Sequence, residues 1–502
     1  MVSLKTDMSW SSLAIYVGIL GYHLILLPIY NVFFHPLRKY PGPKLWATSA
    51  LPWGFAFMSG NYHHKILELH SKYGHIVRVG PNQLSYDVPE AWEDIYGRSK
   101  QRKENPKPTW YLSPKRNEIV GAEEKDHVRM RGLLAKGFTG SAMLEQEPLI
   151  KKNVDLLFQR FREKAGDGKA ELDIFEWFSY CTFDIIGDLT FGETFGCLRQ
   201  SMMHPWLATV FANVKLAHTL VLCNRIPFFF FYLPFTETWR LWRSSKDFDK
   251  TIHEVIDKYS GRGAERQDFL RIMQTKKRFM YMTKEEVYSN SAFVTLAGSE
   301  TTSTVMAVVV YMICTNPPVK AKLLQELHAT FASEDEINMR SATKLRYLMA
   351  VIEESMRCHP PGPNALWRVT PPGGNRILGD WIPEKASTVL DVPHRTMYRS
   401  EHNFKRADEF IPERWIECSD EKSEFANDRR DSFHPFSYGP RTCLAVNLAY
   451  AEIRFILARL MWNFEIDITE ECQKWKEGMR SWLIWEKRPL NVYLKPREGV
   501  TD

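Results

Sequence analysis

The chain has 502 residues, 44% hydrophobic and 25% charged, which describes an ordinary folded protein with ample length for a large core. Its 66 basic and 60 acidic residues leave a net charge of +6 spread along the chain, so there is no nucleic-acid footprint, with a local basic face left open. Eight scattered cysteines, with no C-x-x-C pair, exclude a disulfide framework and fit a reducing compartment.

Residues 13–34 are almost wholly apolar or aromatic, interrupted by His23 and Asn31. About 20 such residues cross a bilayer core as one helix. A cleaved signal peptide, with a shorter apolar core and a small-residue cleavage site, and a buried helix are the alternatives. Arg38, Lys39 and Lys44 follow the run, against Lys5 and Asp7 before it. The positive-inside rule therefore predicts a short lumenal N-terminus over 1–12, an anchor over 13–34 and a cytosolic body. Pro36, Pro41 and Pro43 predict a stiff hinge over 35–45, and the body fills 46–502.

Within the body, helical spacing over 62–73 stops at Gly74, and 76–79 and 83–88 alternate as a hairpin around Gly80-Pro81-Asn82. Residues 99–122 are polar, proline-containing and without period, which predicts a long loop. A helix over 123–138 puts His127 and Arg131 on one face, where a solvated basic surface is the plain account. Helices are predicted over 149–161 and 172–191, the second more apolar. The aromatic segment 227–234 is equally readable as core, substrate roof or membrane contact.

Thr283 and Glu286 form a capping box that opens a long helix through Cys314, ended by Asn316-Pro317-Pro318. Gly298 at its centre costs about 1 kcal/mol against Ala, so something approaches the backbone there or the helix opens locally. Glu300 and Thr301 beside it offer a carboxylate and a hydroxyl, a pair suited to proton delivery; a helix kinked by small residues for packing is the alternative. A helix over 345–358 carries Glu354 and Arg357 three apart, a local ion pair by spacing. Short strands are predicted over 366–370 and 382–392, and a closing hairpin over 481–485 and 490–494. The whole reads as mostly α with a minor β region.

One stretch stands out near the C-terminus: Phe436-Ser-Tyr-Gly439-Pro-Arg441-Thr-Cys443-Leu-Ala445. It sets a cysteine after a turn and before a long apolar helical run, where free N–H groups and the helix dipole favour a thiolate. A lone cysteine is more often a buried structural thiol.

This stretch resembles the haem-binding loop of the cytochrome P450 superfamily, Phe-x-x-Gly-x-Arg-x-Cys-x-Gly, and departs from it at Ala445. Ala297-Gly298-Ser-Glu300-Thr301-Thr302 resembles the family's oxygen-activation motif. Glu354-x-x-Arg357 with Pro412-Glu-Arg414-Trp415 resembles its Glu-Arg-Arg triad. The resemblance implies a cytochrome P450 fold behind a single N-terminal transmembrane helix, of the fungal microsomal secondary-metabolism type and similar to the trichothecene C-15 hydroxylase group. It implies haem b with Cys443 as axial thiolate and iron ligand, Phe436 and Arg441 in the haem-binding loop, and His127, Arg131 and Arg368 at the propionates. It assigns proton delivery to Thr301 and Glu300, cavity lining to Asn364 and Ala365, and a structural network to Glu354, Arg357 and Arg414.

The implied activity is a monooxygenase acting on a lipophilic terpenoid or polyketide at the endoplasmic reticulum membrane, facing the cytosol. Electrons come from an NADPH-cytochrome reductase, docking near Arg429, Arg430, Arg441 and Arg454. A haem-thiolate isomerase or dehydratase is one alternative, though such enzymes tend to lose the acid-alcohol pair. A membrane haem carrier is another.

Overall fold

The computed structural model describes residues 10–98, 103–111, 117–205, 217–226, 268–275, 281–364, 366–384, 388–417 and 420–497, with isolated positions between 243 and 258. The aromatic segment 227–234 and Ala365 lie outside the described residues.

The N-terminal apolar run is helical from Trp10 to Phe33 in three parts: Trp10–Gly21 is α, Tyr22–Leu26 widens to π, and Leu27–Phe33 returns to α. Pro28 accounts for the widening, because its ring lacks an N–H and crowds the carbonyl four residues back. The apolar side chains point outward: Val17, Leu24, Leu26 and Phe34 are each more than half exposed. Val17–Phe33 is nevertheless shorter than a full span. Among the described residues, the helix long and apolar enough to cross a bilayer is Lys284–Cys314, whose most apolar stretch is 67% buried within the fold. That is a core helix.

The proline stretch is docked against the body. Arg78 donates its backbone N–H to the Pro41 carbonyl at 2.7 Å and its guanidinium to the Asn31 carbonyl at 2.9 Å. Lys39 and Tyr40 both reach Asp380, at 2.8 and 2.6 Å. A side chain at Gly42 would collide with the Arg78 carbonyl, so the glycine permits this close approach.

Two helices form the centre. Lys284–Cys314 starts from the predicted box: Thr283 Oγ1 accepts from the Glu286 N–H at 3.2 Å, and Glu286 Oε2 accepts from the Thr283 N–H at 2.8 Å. It runs unbroken through Gly298. The partner helix Ile174–Phe191, capped by Asp173, is buried at every position except Glu176, as expected of a helix apolar all round. The two pack together along their length. A Cβ on Gly298 would lie 2.9 Å from Ile186 Cδ1 of the partner, so the glycine serves close packing, and no local opening is needed to explain it.

The β part is small and scattered. Ile76–Gly80 and Gln83–Tyr86 form the predicted hairpin, and Val389–Asp391 joins it in parallel, with Arg368–Val369 outermost. The strand expected over 382–392 is split. Ile382 ends a separate hairpin, Asn375–Ile377 with Asp380–Ile382, closed at Leu378 and Gly379, both at positive φ. Pro383 then removes a ladder donor and breaks the run.

The closing hairpin is also corrected. Ser481–Trp482 pairs with Ile484–Trp485 across Leu483 at φ +75°, whereas Asn491–Pro496 pairs with Phe464–Ile468 and Glu171–Asp173 in another sheet. The helix expected over 149–161 begins earlier, at Gly140, with Thr139 as its cap and Pro148 held inside it.

Candidate active site

The cysteine loop is a tight, hydrogen-bonded turn. Cys443 donates its N–H to the Phe436 carbonyl at 2.8 Å, and the Thr442 hydroxyl bonds the Phe436 and Ser437 carbonyls at 3.1 and 3.2 Å. Gly439 sits at φ +75°, and a Cβ there would press on the Tyr96 carbonyl, so both conformation and contact require glycine. Ala445 lies at φ −96°, where any L-residue fits, which accounts for the departure from the family pattern. The helix proper, Val446–Asn463, starts just after it.

Among the described cysteines, Cys443 alone is exposed. It opens on a recess whose walls desolvate it and push its thiol pKa up, opposed by the Ala445 N–H and by the Arg131 charge.

Around this loop the fold gathers cations. Arg131 donates to the Thr442 carbonyl at 2.7 Å. Arg441 is paired with Glu104 and bonds the Ala122 carbonyl at 2.9 Å. Arg368 is buried, reaches the Leu366 and Trp367 carbonyls, and lies 4.9 Å over the Tyr96 ring. Lys107, which sequence reasoning missed inside the long loop, bonds the Val120 carbonyl.

These charges repel one another. Burial first, then Arg441, Arg131, Lys107 and Arg368, push the His127 pKa down to about 3. Burial, Arg368 and Arg441 likewise hold Lys107 well below the ordinary lysine value. The opposing carboxylates are Glu104 and Glu118, and burial pushes Glu118 up toward its neutral form. Four permanent or potential cations and a neutral histidine against so little negative charge make a site for a dianion. Two propionates beside a thiol fit it.

On the central helix, Thr301 is exposed while Ser299, Glu300, Thr302 and Ser303 beside it are buried. Its hydroxyl bonds the Ala297 carbonyl at 2.8 Å, back along the helix. Glu300 is turned elsewhere: its carboxylate pairs with Lys487 at 2.6 Å. Asn364 is buried, with its amide on Ser481 Oγ at 3.0 Å.

Glu354, Arg357 and Arg414 come together as expected, fully buried. Glu354 accepts two bonds from Arg357 at 2.8 Å, one from Arg414 at 3.1 Å, the Ile411 N–H at 2.8 Å and the Trp415 indole at 2.9 Å. Burial opposes its charge, but Arg357 and Arg414 outweigh it and hold its pKa below the usual value. Asp428, not anticipated, pairs with the far end of Arg414.

Two of the arginines expected on a docking face are otherwise engaged. Arg441 points inward to Glu104, which removes it from that face, and Arg429 is paired with Glu90 at 2.6 Å.

An open thiol at the end of a fixed loop, walled by excess cations and packed in a fold centred on a hydroxyl-bearing helix, defines the haem-thiolate class of site. The cytochrome P450 family model matches residues 41–494. The chain is 52% identical to cytochrome P450 monooxygenase sthF of Phaeosphaeria nodorum, over 96% of this chain and 94% of that one. It is 39% identical to averantin hydroxylase of Dothistroma septosporum, over 96% and 91%. It is 38% identical to trichothecene C-15 hydroxylase of Fusarium sporotrichioides, over 97% and 99%. The chain belongs to the cytochrome P450 family and is a P450 monooxygenase, whose cofactor is haem b held by a cysteine thiolate.

Proposed function

We propose that this enzyme inserts one oxygen atom of dioxygen into a lipophilic small molecule of secondary metabolism, a terpenoid or polyketide intermediate. The observation that carries the site assignment is the surplus of cations beside the open Cys443 thiol. Cys443 would hold the iron, and Arg131, Arg368, His127 and Lys107 would hold the propionates, while Arg441 ties Glu104 to the loop. When bound, the haem supplies dioxygen activation, with the thiolate favouring O–O cleavage.

The chain's own residues supply the rest. The Phe436 carbonyl, which accepts the Cys443 N–H, and Arg131, which donates to the Thr442 carbonyl, fix the loop that presents the thiol. Thr301, open beside buried neighbours and bonded back to the Ala297 carbonyl, passes protons, with Glu300 as their source. The substrate class rests on the names of the relatives, two of which are hydroxylases.

The exposed apolar side chains between Val17 and Phe34 support a membrane anchor, short lumenal N-terminus and cytosolic body at the endoplasmic reticulum. The docked proline stretch fixes how the body leaves that anchor. Electrons come from an NADPH-cytochrome reductase. Microsomes holding the enzyme and that reductase, given NADPH and a panel of terpenoid and polyketide intermediates, test the reading by product mass. A product heavier by one oxygen supports it, and uniform absence of such products across the panel contradicts the substrate class.

A further inference from the structure

One guanidinium outside the charge clusters described above has no anion. Arg225 closes the helical residues 217–225 and enters a hydrophobic cluster apart from the main core, where buried Trp53 and Trp367 pack with the partly buried Trp110 and Tyr111. Its guanidinium carbon lies 3.8 Å from the centre of the Trp53 ring and 4.7 Å from that of Trp110. Ring faces hold a cation in place without neutralising it.

Among the described residues Arg225 makes one hydrogen bond, from Nη2 to the uncharged Gln83 Oε1 at 2.6 Å. Its Nη1 is buried and has no partner. The carboxylate that faces it, Asp391, stands behind Gln83, which donates Nε2 to Asp391 Oδ2 at 2.6 Å. Burial pushes Asp391 up to about 6 and Arg225 down to about 10, so neither charge is fully met by the other. Arg357, by contrast, gives its N–H groups to Glu354 and to three carbonyls.

This aromatic box adjoins the cation-walled recess. Trp367 directly precedes Arg368, and Tyr111, edge-on to Trp367 at 5.0 Å, also faces Arg368. Leu483, at the turn of the Ser481–Trp485 hairpin, packs against the same cluster. A molecule bound beside Arg368 therefore meets an aromatic wall that carries one under-compensated cation.

We propose that Arg225 is a specificity-determining residue that takes an acidic oxygen of the substrate, a carboxylate or an enolate, and that the natural substrate is therefore a lipophilic acid. The proposal deepens, and rests on, the reading of this enzyme as one that acts on a lipophilic small molecule.

The chemistry of the box selects such a molecule. Aromatic and aliphatic side chains accept a carbon skeleton, while the planar guanidinium offers paired donors to a carboxylate or to the two oxygens of an enolised dicarbonyl. In so apolar a setting the charge pair is stronger than in water, and a neutral ester of the same shape leaves the donor unmet. Arg225 is itself partly exposed, so a ligand can approach it with the cluster intact.

Matched pairs test this in the full-length haem-loaded enzyme: dodecanoic acid, abietic acid and lawsone, an acidic enol, each against its methyl ester or ether, above neutral pH where all three acids are ionised. Binding is read by the shift of the Soret band and, independently of the haem, by calorimetry. At least one acid is expected to bind about 10- to 100-fold more tightly than its methylated partner, the range of one charge-assisted bond. Arg225→Gln should weaken that acid alone and bring the ratio near one. Arg225→Lys, which keeps the charge and loses the planar fork, should retain part of it.

A ratio near one for every pair in the wild type overturns the proposal, as does an Arg225→Gln variant that keeps the ratio or weakens acid and ester equally, the signature of a packing role. If Arg225→Gln does not fold, the wild-type ratio and its partial fall in Arg225→Lys decide, and an unchanged ratio in Arg225→Lys overturns the proposal. Binding of no member of any pair sinks the lipophilic reading with it, whereas equal binding of acid and ester sinks this inference alone.

Discussion

Two buried charged assemblies flank the cysteine loop, and they differ in balance. Glu354, Arg357, Arg414 and Asp428 pair two carboxylates with two guanidinium groups; Arg357 also donates to the Tyr398, Ala407 and Glu409 carbonyls, and Arg414 to the Lys405 and Arg406 carbonyls. Among the described residues, the carboxylates that Lys107, His127, Arg131, Arg368 and Arg441 face are Glu104 and Glu118. The first network is complete within the chain. The second is complete only with an added anion. Balance therefore separates a charge cluster that builds the fold from one that binds a ligand, although Arg368 of the second is as deeply buried as Arg357 and Arg414 of the first.

The largest effect that can break this comparison lies in the balanced network. Arg357→Met leaves Glu354 buried with Arg414 as its remaining countercharge among the described residues and is expected to cost about 3–5 kcal/mol. Chemical unfolding of the haem-free protein should show that loss, and a stable haem-free variant would erase the distinction.

Arg368→Gln should do the opposite. Haem affinity is expected to fall about 10- to 100-fold, the range of one lost charge-assisted bond. Stability of the haem-free protein should hold or rise, since repulsion is relieved. Haem titration and unfolding on the same sample check both halves.

Gly439→Ala comes next. The left-handed backbone alone costs about 1–2 kcal/mol for a residue with a Cβ, and the Tyr96 carbonyl adds a collision. Reduced haem retention without loss of the partner-helix core is expected, measured by the ratio of haem absorbance to protein.

The last effect is absent near neutral pH and appears only on acidification. His127 titrates near 6.5 in an unfolded chain and at about 3 in the folded protein, so the unfolded chain takes up the proton first as pH falls. Its contribution is present above about 6.5 and is lost on descent toward 3, at on the order of 1 kcal/mol per pH unit. His127→Gln should flatten that slope in the haem-free protein. Haem, by bringing anions, should flatten it in the wild type.

What the sequence made legible was what its spacing carries locally. The capping box at Thr283 and Glu286, the turn at Gly439 and the Glu354-x-x-Arg357 pair all lie within a few residues of one another. Lys107, Asp428 and Lys487 were not legible, because their partners are brought to them by the fold: Lys487 meets Glu300 across the whole C-terminal part of the chain. Gly298 showed that something approached the helix but not that it was Ile186. The β errors share one cause. Single residues, Pro383 and Leu483, redirect the chain inside runs whose alternation otherwise reads as continuous strand.

The measurement closest to the central claim is the reduced, carbon-monoxide-bound spectrum of the enzyme and of Cys443→Ser. The wild type should show the strongly red-shifted Soret band of a thiolate complex, and Cys443→Ser should lose it. The same band in both proteins would contradict Cys443 as the ligand and, with it, the assignment of the cation-walled recess.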